Sequence, residues 1–446
     1  MRTLILTLGS GQRNTKNGPP GYRTARYRFP DDSVSEPTQL FGLALFDWLR
    51  HIKSSQPDKL ILLGTSGSIW GAFYEYLLDL KIALNGVDLE TCALELDEKT
   101  QRNAIEKTDL PEIANHLAEG LGLGNDQVVC RLIPTAATDK EQQEIFKIIA
   151  DVVPDEGLVD FDLTHGLRHL PVLEFVSALH LSSSKKNISI GKLYYGAFEL
   201  ADRTAEAPIA PVVLLDQVTR LLKWRDGVRD FREFGDVTML CGLLGPEGEN
   251  DVALRESLRE THFFFETNQT HRAGAAAQQA ERLLRTGEAP IAAEGQLFRE
   301  VLHGSVQWAA HWNEKIAHNC PDRNFNFAKA QLYMADIAFK QKRYQRSIVL
   351  LLEACESSYL LPTERWDDFK NRKNASEHLL SSLKGEDKKQ FILLRDLRNQ
   401  FAHTVTSHNK NIRKSVENET NLRELIMHPK TGLYPWVERI IRESVE

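Results

Sequence analysis

The chain has no run of about 18 apolar residues, the length a membrane-spanning helix needs. It also lacks the apolar core of a signal peptide, since its first apolar stretch, Leu4 to Leu8, meets Gly9 at once. A cytoplasmic protein with no membrane partner is expected. Cysteine is scarce: Cys92, Cys130, Cys241, Cys320 and Cys355 stand far apart, with no C-x-x-C pair and no zinc spacing. That fits a reducing compartment and argues against a structural metal. Positive charge is not in excess either, because 55 Lys and Arg against 62 Asp and Glu leave a net charge of −7. The surface as a whole does not attract nucleic acid, so such a ligand needs a local basic pocket. Both common nucleotide loops fail on the letters. A G-x-G-x-x-G turn begun at Gly9 needs glycine where the chain has Asn14, and no G-x-x-x-x-G-K-[ST] stretch exists. Internal repeats and low-complexity tracts are absent.

What is present divides in two. At 446 residues the chain exceeds one ordinary core. Its first 200 or so residues alternate β-like runs with amphipathic stretches. Strands are expected at Leu4–Leu8, Lys59–Leu63, Thr91–Leu96, Val128–Ile133, Gly157–Leu163 and Lys192–Phe198, with helices near Pro37–Ser54, Ile69–Leu80 and Leu170–Leu181. Such alternation predicts right-handed βαβ units and a parallel sheet covered on both faces. Pro208 and Pro211 mark a junction, after which Val212–Phe234 reads as one long helix. From Asp251 onward strand signals vanish, and helices recur around 251–265, 273–285, 294–312, 326–340, 344–361 and 386–403. The fold class is therefore an α/β Rossmann-like N-terminal domain and an all-α C-terminal domain joined by a helical connector. The boundaries are 1–205, 206–245 and 246–446.

Three expected strands end in small or hydroxylated residues: Gly9-Ser10-Gly11, Thr65-Ser66-Gly67-Ser68 and Thr164-His165-Gly166. In an open α/β sheet the ligand sits beyond the carboxyl ends of the strands. Glycines let backbone approach, hydroxyls donate and accept, and helix N-termini favour anions. Arg168 follows the third loop and can pair with a phosphate. The pocket is read as one for a polar anion.

The helical half carries Arg398-Asn399-Gln400-Phe401-Ala402-His403. A permanent cation and a near-neutral acid/base stand five residues apart, the pieces needed to cut RNA without a metal. Arg255 and His262 satisfy the same loose spacing. Context separates them. Arg398 lies late in a helix whose Phe391, Leu394, Leu397 and Phe401 face inward, whereas Arg255 sits among Glu256, Arg259 and Glu260 and is read as part of a solvated face beside Phe263-Phe264-Phe265. A bland reading also exists for Arg398 and His403, as cations decorating a helix C-terminus.

Asp162-Leu163-Thr164-His165-Gly166 resembles the D-x-T-H-G signature of a CRISPR-associated protein family. The turn Leu63-Gly64-Thr65-Ser66-Gly67-Ser68-Ile69-Trp70, the opening Leu8-Gly9-Ser10-Gly11 and the aromatic, basic segment Tyr22–Phe29 are similar to that family too, as is the C-terminal Arg–His pair. The resemblance implies an N-terminal CARF domain, a sensor of cyclic oligoadenylate, and a C-terminal HEPN ribonuclease of type III CRISPR systems. Carried over motif by motif, the implied ligand contacts are Gly9, Ser10, Thr65, Ser66, Gly67, Ser68, Asp162, Thr164, His165, Gly166 and Arg168. Asp162 is taken to orient loop amides or hydroxyls, because an acid beside a phosphate would repel it. For His165, a hydrogen bond that fixes the turn and a direct ligand contact both remain open. Cyclic tetra-adenylate is favoured as activator, with no other cofactor. A ring of identical nucleotides has rotational symmetry, which a two-fold homodimer matches.

No metal-ligand cluster is evident in the helical half of the sequence, so the expected route uses RNA's own 2′-hydroxyl to attack the adjacent phosphate. Arg398 and His403 are the implied catalytic residues, with Asn399 positioning one of them and Arg395 helping to grip the single-stranded RNA. Residues five apart on a helix point about 140° away from each other, so two copies across a dimer axis make a better site than one. Two alternatives are a non-catalytic sensor that keeps the α/β domain, and a phosphodiesterase that degrades the cyclic ligand itself.

Overall fold

The computed structural model describes every residue except 14–19, 53–54, 168, 186, 203–207, 245–251, 288–290, 292, 317–321, 404–408 and 445–446. The alternation of Leu4, Leu6 and Leu8 with Thr3, Ile5 and Thr7 makes the first strand two-faced, and both faces are buried. The strands are β1 (Arg2–Leu8), β2 (Gln12–Arg13), β3 (Pro20–Gly21), β4 (Arg26–Arg28), β5 (Lys59–Gly64), β6 (Val128–Leu132), β7 (Glu156–Asp162), β8 (Asn187–Gly196) and β9 (Ile209–Leu214). Among the described residues, seven of them form one sheet in the order β4-β9-β8-β7-β1-β5-β6, and β2 pairs with β3. Pairing is parallel throughout that sheet except between β8 and β9. The sheet is therefore mixed rather than wholly parallel.

Six helices cover the sheet: α1 (Phe41–His51), α2 (Ala72–Asp79), α3 (Leu89–Gln101), α4 (Leu110–Leu121), α5 (Asp139–Val152) and α6 (Leu170–Ser184). Leu4, Leu6, Leu60 and Leu62 share a core with α1 to α4, whereas Ile5, Ile61, Leu63, Val159 and Phe161 share another with α5 and α6. Both faces of the sheet are thus covered, as the near-continuous apolar strands require.

Two local expectations are corrected. Thr91–Leu96 lies inside α3, because Asp88 caps that helix by accepting from the Thr91 N–H, and Ala93, Leu96 and Thr100 recur on its buried side at helical spacing. The stretch Val212–Phe234 is two elements. Ile209–Leu214 pairs with both β8 and β4, and helix begins only at Asp216. Backbone pairing with β8 outweighs the helical reading of Val212 to Leu214.

The chain divides into two units, Met1–Gln217 and Val218–Glu446. The second is helical: α7 (Asp216–Phe234), α8 (Thr238–Leu243), α9 (Val252–Glu266), α10 (Thr270–Thr286), α11 (Ala293–Gln296), α12 (Arg299–Lys315), α13 (Arg323–Lys340), α14 (Tyr344–Ser357), α15 (Phe369–Ser382), α16 (Gly385–His403), α17 (Lys410–Ser415), α18 (Glu419–Met427) and α19 (Leu433–Glu443). Trp224, Leu240, Leu258 and Leu302 centre one core, while Leu351, Phe391, Leu394 and Val437 centre another. No helix among the described residues is long and apolar enough to cross a membrane.

Leu62 is fully buried in β5, between α1 to α4 and the strands beside it. Leu62→Ala is expected to cost about 2–5 kcal/mol, read as a lower denaturation midpoint at unchanged slope. A midpoint equal to wild type would contradict this account of the core.

Candidate functional site

The strand order puts β5, β1 and β7 side by side and parallel, in register from Thr3 opposite Lys59 and from Arg2 opposite Leu158. Their carboxyl ends therefore open at one edge, and the loops after Leu8, Gly64 and Asp162 meet there. The chain reaches β5 and β6 on one side of β1, then returns to β7 on the other side. That reversal is the point at which open α/β sheets take their ligands.

Hydroxyls tie the loops together. Ser68 is fully buried, and its Oγ donates to the Leu8 carbonyl at 2.9 Å while accepting the Thr65 N–H at 2.8 Å. Thr100 Oγ1 donates to the Ser68 carbonyl, and Trp70 Nε1 donates to that of Thr65. The Ile69 N–H donates to the Gly9 carbonyl at 3.0 Å, joining first loop to second. Gly9 has no room for a side chain, because its Cβ would stand 2.4 Å from the Tyr22 hydroxyl and 2.9 Å from the Gly166 nitrogen. Gly166 has φ of 114°, a conformation that glycine alone adopts easily.

The third loop is held by its own side chains. Asp162 Oδ1 accepts the Thr164 N–H at 2.8 Å, so this carboxylate orients a loop amide. Thr164 Oγ1 accepts the Gly196 N–H at 2.8 Å. His165 is buried, and its Nε2 accepts the Phe41 N–H at the start of α1, which puts its proton on Nδ1. Burial pushes the imidazole down to about 3, so it carries no charge near neutrality. The geometry gives His165 the hydrogen bond that fixes the turn. Ser10 is exposed, Thr65, Ser66, Thr164 and Gly166 are half-buried, and Gly67 is buried. Arg168 lies outside the described residues.

Three contributors were missing from the expected pocket contacts, although Tyr22 opens the segment Tyr22–Phe29 that shares in the resemblance. The Tyr22 hydroxyl accepts the Gly9 N–H at 2.7 Å, and its ring stacks on His165 with centroids 4.0 Å apart. Burial lifts its phenol to about 12. Asn103 lies over Gly67, its Oδ1 2.1 Å from where a Cβ would stand, so a side chain there would have to displace that exposed amide. Glu174 on α6 is 2% exposed and accepts from Thr7 Oγ1. An aromatic residue amid Gly and Pro was a visible signal for Tyr22. A glutamate in an otherwise apolar helix was a visible signal for Glu174.

Asp162 and Glu174 form a buried acidic pair. Burial raises the Asp162 carboxyl to about 7, and raises that of Glu174 well above its usual value, with the Asp162 charge adding to the effect. Asp162 Oδ2 has no hydrogen-bond partner and lies 2.7 Å from where a Cβ at Gly42 would stand. Burial that favours the protonated forms weakens the repulsion these two acids would exert on a nearby anion.

In the helical unit, Phe391, Leu394 and Leu397 fix one face of α16 in the core and leave Arg398 and Asn399 half-buried. Backbone places His403 at the end of the same helix, and its side chain lies outside the described residues. Arg398 acts on Glu353 of α14. Burial raises the Glu353 carboxyl, while Arg372 of α15 and Arg398 oppose that rise. Arg255 corrects its expected solvated placement: it is 3% exposed, its carbonyl meeting Cys241 Sγ, because Leu254 and Leu258 turn that side of α9 into the core. His262 is half-buried against the Gly235 backbone, and burial lowers its affinity for a proton.

No family model matches the chain. CRISPR-associated protein MJ1674 of Methanocaldococcus jannaschii is 24% identical over 473 residues, spanning 99% of this chain and 68% of the relative. The CRISPR-associated resemblance carried by the sequence motifs is thus borne out from end to end. Among solved structures, Enterococcus italicus Csm6 bound to cyclic hexa-2′-fluoro-hexa-dAMP superposes with a TM-score of 0.30 and 10% identity, over 100% of this chain and 94% of that one. So loose a superposition carries no argument.

Two outcomes follow for the pocket. Ser68→Ala removes a hydroxyl that serves two backbone groups and should cost about 1–3 kcal/mol, measured by thermal or denaturant unfolding; an unchanged midpoint would contradict the tie. Asp162 holds its proton in the folded state up to about pH 7 but releases it near 3.8 when unfolded. Its contribution to stability is therefore full at low pH and falls as pH rises through that interval, by at most about 1.4 kcal/mol per pH unit. Melting curves across the interval should be flatter for Asp162→Asn, and parallel curves would sink the assignment.

Proposed function

We propose that the protein is a cyclic-oligoadenylate-activated, metal-independent endonuclease of single-stranded RNA, acting in type III CRISPR antiviral defence. The observation that carries this reading is the meeting of three glycine- and hydroxyl-rich loops at one edge of a parallel sheet. The same chain bears Arg398, Asn399 and His403 at the end of α16, and its likeness to a CRISPR-associated protein over nearly the whole of this chain adds support. On this reading the first unit is the CARF-like sensor and the second contains the HEPN ribonuclease.

The sensor pocket takes an anionic ring. Ser10, Thr65 and Ser66 offer hydroxyls to phosphate and ribose, and Gly9, Gly67 and Gly166 let backbone come close. Ser68, Asp162, Thr164 and His165 hold the loops in shape, and Arg168 supplies positive charge by its place in the motif. A second copy of the chain completes the ring site. Val172 and Val176 on α6 are 61% and 42% exposed, although Ala178 and Leu181 bury the other side of that helix. This bare apolar face begins just after the third loop. A two-fold axis there would cover it and match the symmetry of a cyclic ligand.

In the helical unit, the 2′-hydroxyl of RNA attacks the adjacent phosphate, leaving a 2′,3′-cyclic phosphate and a 5′-hydroxyl. His403 serves as general base or acid, typically worth about 10²–10⁴-fold. Arg398 neutralises charge on the phosphorane-like transition state, and Asn399 positions one of the two. Activation needs the ligand to favour the competent arrangement of two nuclease motifs by differential affinity.

Labelled single-stranded RNA, incubated in EDTA with and without cyclic tetra- or hexa-adenylate, tests the reading. Cleavage should require a ring, spare DNA, which lacks the 2′-hydroxyl, and fall about 10²–10⁴-fold in His403→Ala. Ser66→Ala with Arg168→Ala should raise the ligand concentration needed without changing the rate at saturation. Silence with every ring size, or equal cutting by His403→Ala, would refute the nuclease. Loss of the ring with RNA left intact would instead mark a phosphodiesterase.

A further inference from the structure

Tyr22 stands outside the three loops, yet its hydroxyl lies where two of them meet. That oxygen accepts the Gly9 N–H at 2.7 Å. The Gly166 nitrogen borders the same space: it lies 2.9 Å from where a Gly9 Cβ would stand, a point the hydroxyl also crowds. Gly166 holds a positive φ of 114°, and backbone turned in such ways aims amides into concavities that suit an anion. Burial is the largest influence on the phenol and lifts it to about 12, while the amides of Gly9, Gly166 and Gly11 pull the other way.

A phenol is a poor occupant for such a place. Near neutrality it keeps its proton, so the oxygen brings no charge and part of its bonding capacity is taken by its own O–H. A phosphate oxygen is charged and accepts from several amides at once, in bonds roughly twice as strong as neutral ones. Asp162 also acts on the hydroxyl, but burial favours the protonated form of that acid and weakens its opposition to an anion.

The geometry points to Tyr22 as a placeholder in a phosphate seat: its hydroxyl occupies the place beside the Gly9 and Gly166 amides until a phosphate oxygen of the ligand displaces it. This rests on reading the three loops as the sensor pocket. Displacement has a route into the fold. The Tyr22 ring stacks on His165, whose Nε2 accepts the Phe41 N–H at the start of α1. The Tyr22 N–H donates to Gln39 Oε1 at 3.0 Å, just ahead of α1, and Gln39 Nε2 donates to Glu75 of α2 at 3.0 Å. A ligand that takes the seat therefore releases a residue that braces the first two helices.

The test is calorimetric titration of the full chain with cyclic tetra- and hexa-adenylate, comparing wild type with Tyr22→Phe, which keeps the ring and its stack but loses the hydroxyl. Wild type must give up one amide–hydroxyl bond to bind. Tyr22→Phe should therefore bind about 2- to 12-fold more tightly, the worth of one such bond. Its melting temperature should fall without ligand and match wild type with ligand in excess. Equal or weaker binding would overturn the inference, because the hydroxyl would then be a fixed part of the pocket or a direct ligand contact. A second measurement needs no variant: nitration of wild-type Tyr22 by tetranitromethane, mapped by mass spectrometry, should rise when the cyclic ligand binds. If the ligand binds and nitration does not rise, this inference fails alone. If no cyclic oligoadenylate binds either protein, the sensor reading fails and inorganic phosphate decides the seat. Phosphate should raise the melting temperature of Tyr22→Phe more than that of wild type, and equal shifts would sink the seat as well.

Discussion

The parallel pairing of β1 with both β5 and β7 is the constraint on which the first unit depends. Hydrogen-bond register places three strand ends at one edge, and the polar loops have nowhere else to go. Leu4, Leu6 and Leu8 on one face of β1 and Ile5 on the other make a central position stable, because a central strand is covered by helices on two sides. The chemistry at the edge is thus a by-product of where the apolar residues must lie.

That edge is built from neutral groups. Ser68, Thr100 and Tyr22 satisfy loop backbone through hydroxyls, and Asp162 acts on a backbone amide rather than on a cation. Two buried acids without a cationic partner keep their protons more readily than exposed ones. Acidic residues beside the proposed anion pocket are consistent with it once burial is counted.

Much of this was legible in the letters. Leu4–Leu8, Lys59–Leu63 and Gly157–Leu163 announced their strands by apolar runs ending in Gly or Thr, and the inward face of α16 followed from Phe391, Leu394 and Leu397. What failed did so for physical reasons. Thr91–Leu96 has the composition of a strand, but Asp88 caps a helix there. Val212 to Leu214 joins the sheet because β8 offers it backbone partners, which no local pattern reveals. α19 was overlooked although Leu433, Trp436, Val437, Ile440 and Ile441 repeat at helical spacing. Arg255 was read as solvated from its charged neighbours, yet its side of α9 packs inward.

The crowding around Gly9 and Gly67 has a consequence for how such a chain can diverge. At each, a single added carbon would stand closer to a neighbouring oxygen than any real contact allows: the Tyr22 hydroxyl in one case, the Asn103 amide in the other. At Gly9 the backbone of Gly166 also stands within 3.0 Å, so a side chain there is barred whatever residue replaces Tyr22, whereas at Gly67 the exposed Asn103 amide can swing aside. The helices that cover the sheet face no such bar, because one apolar side chain can replace another there at modest cost.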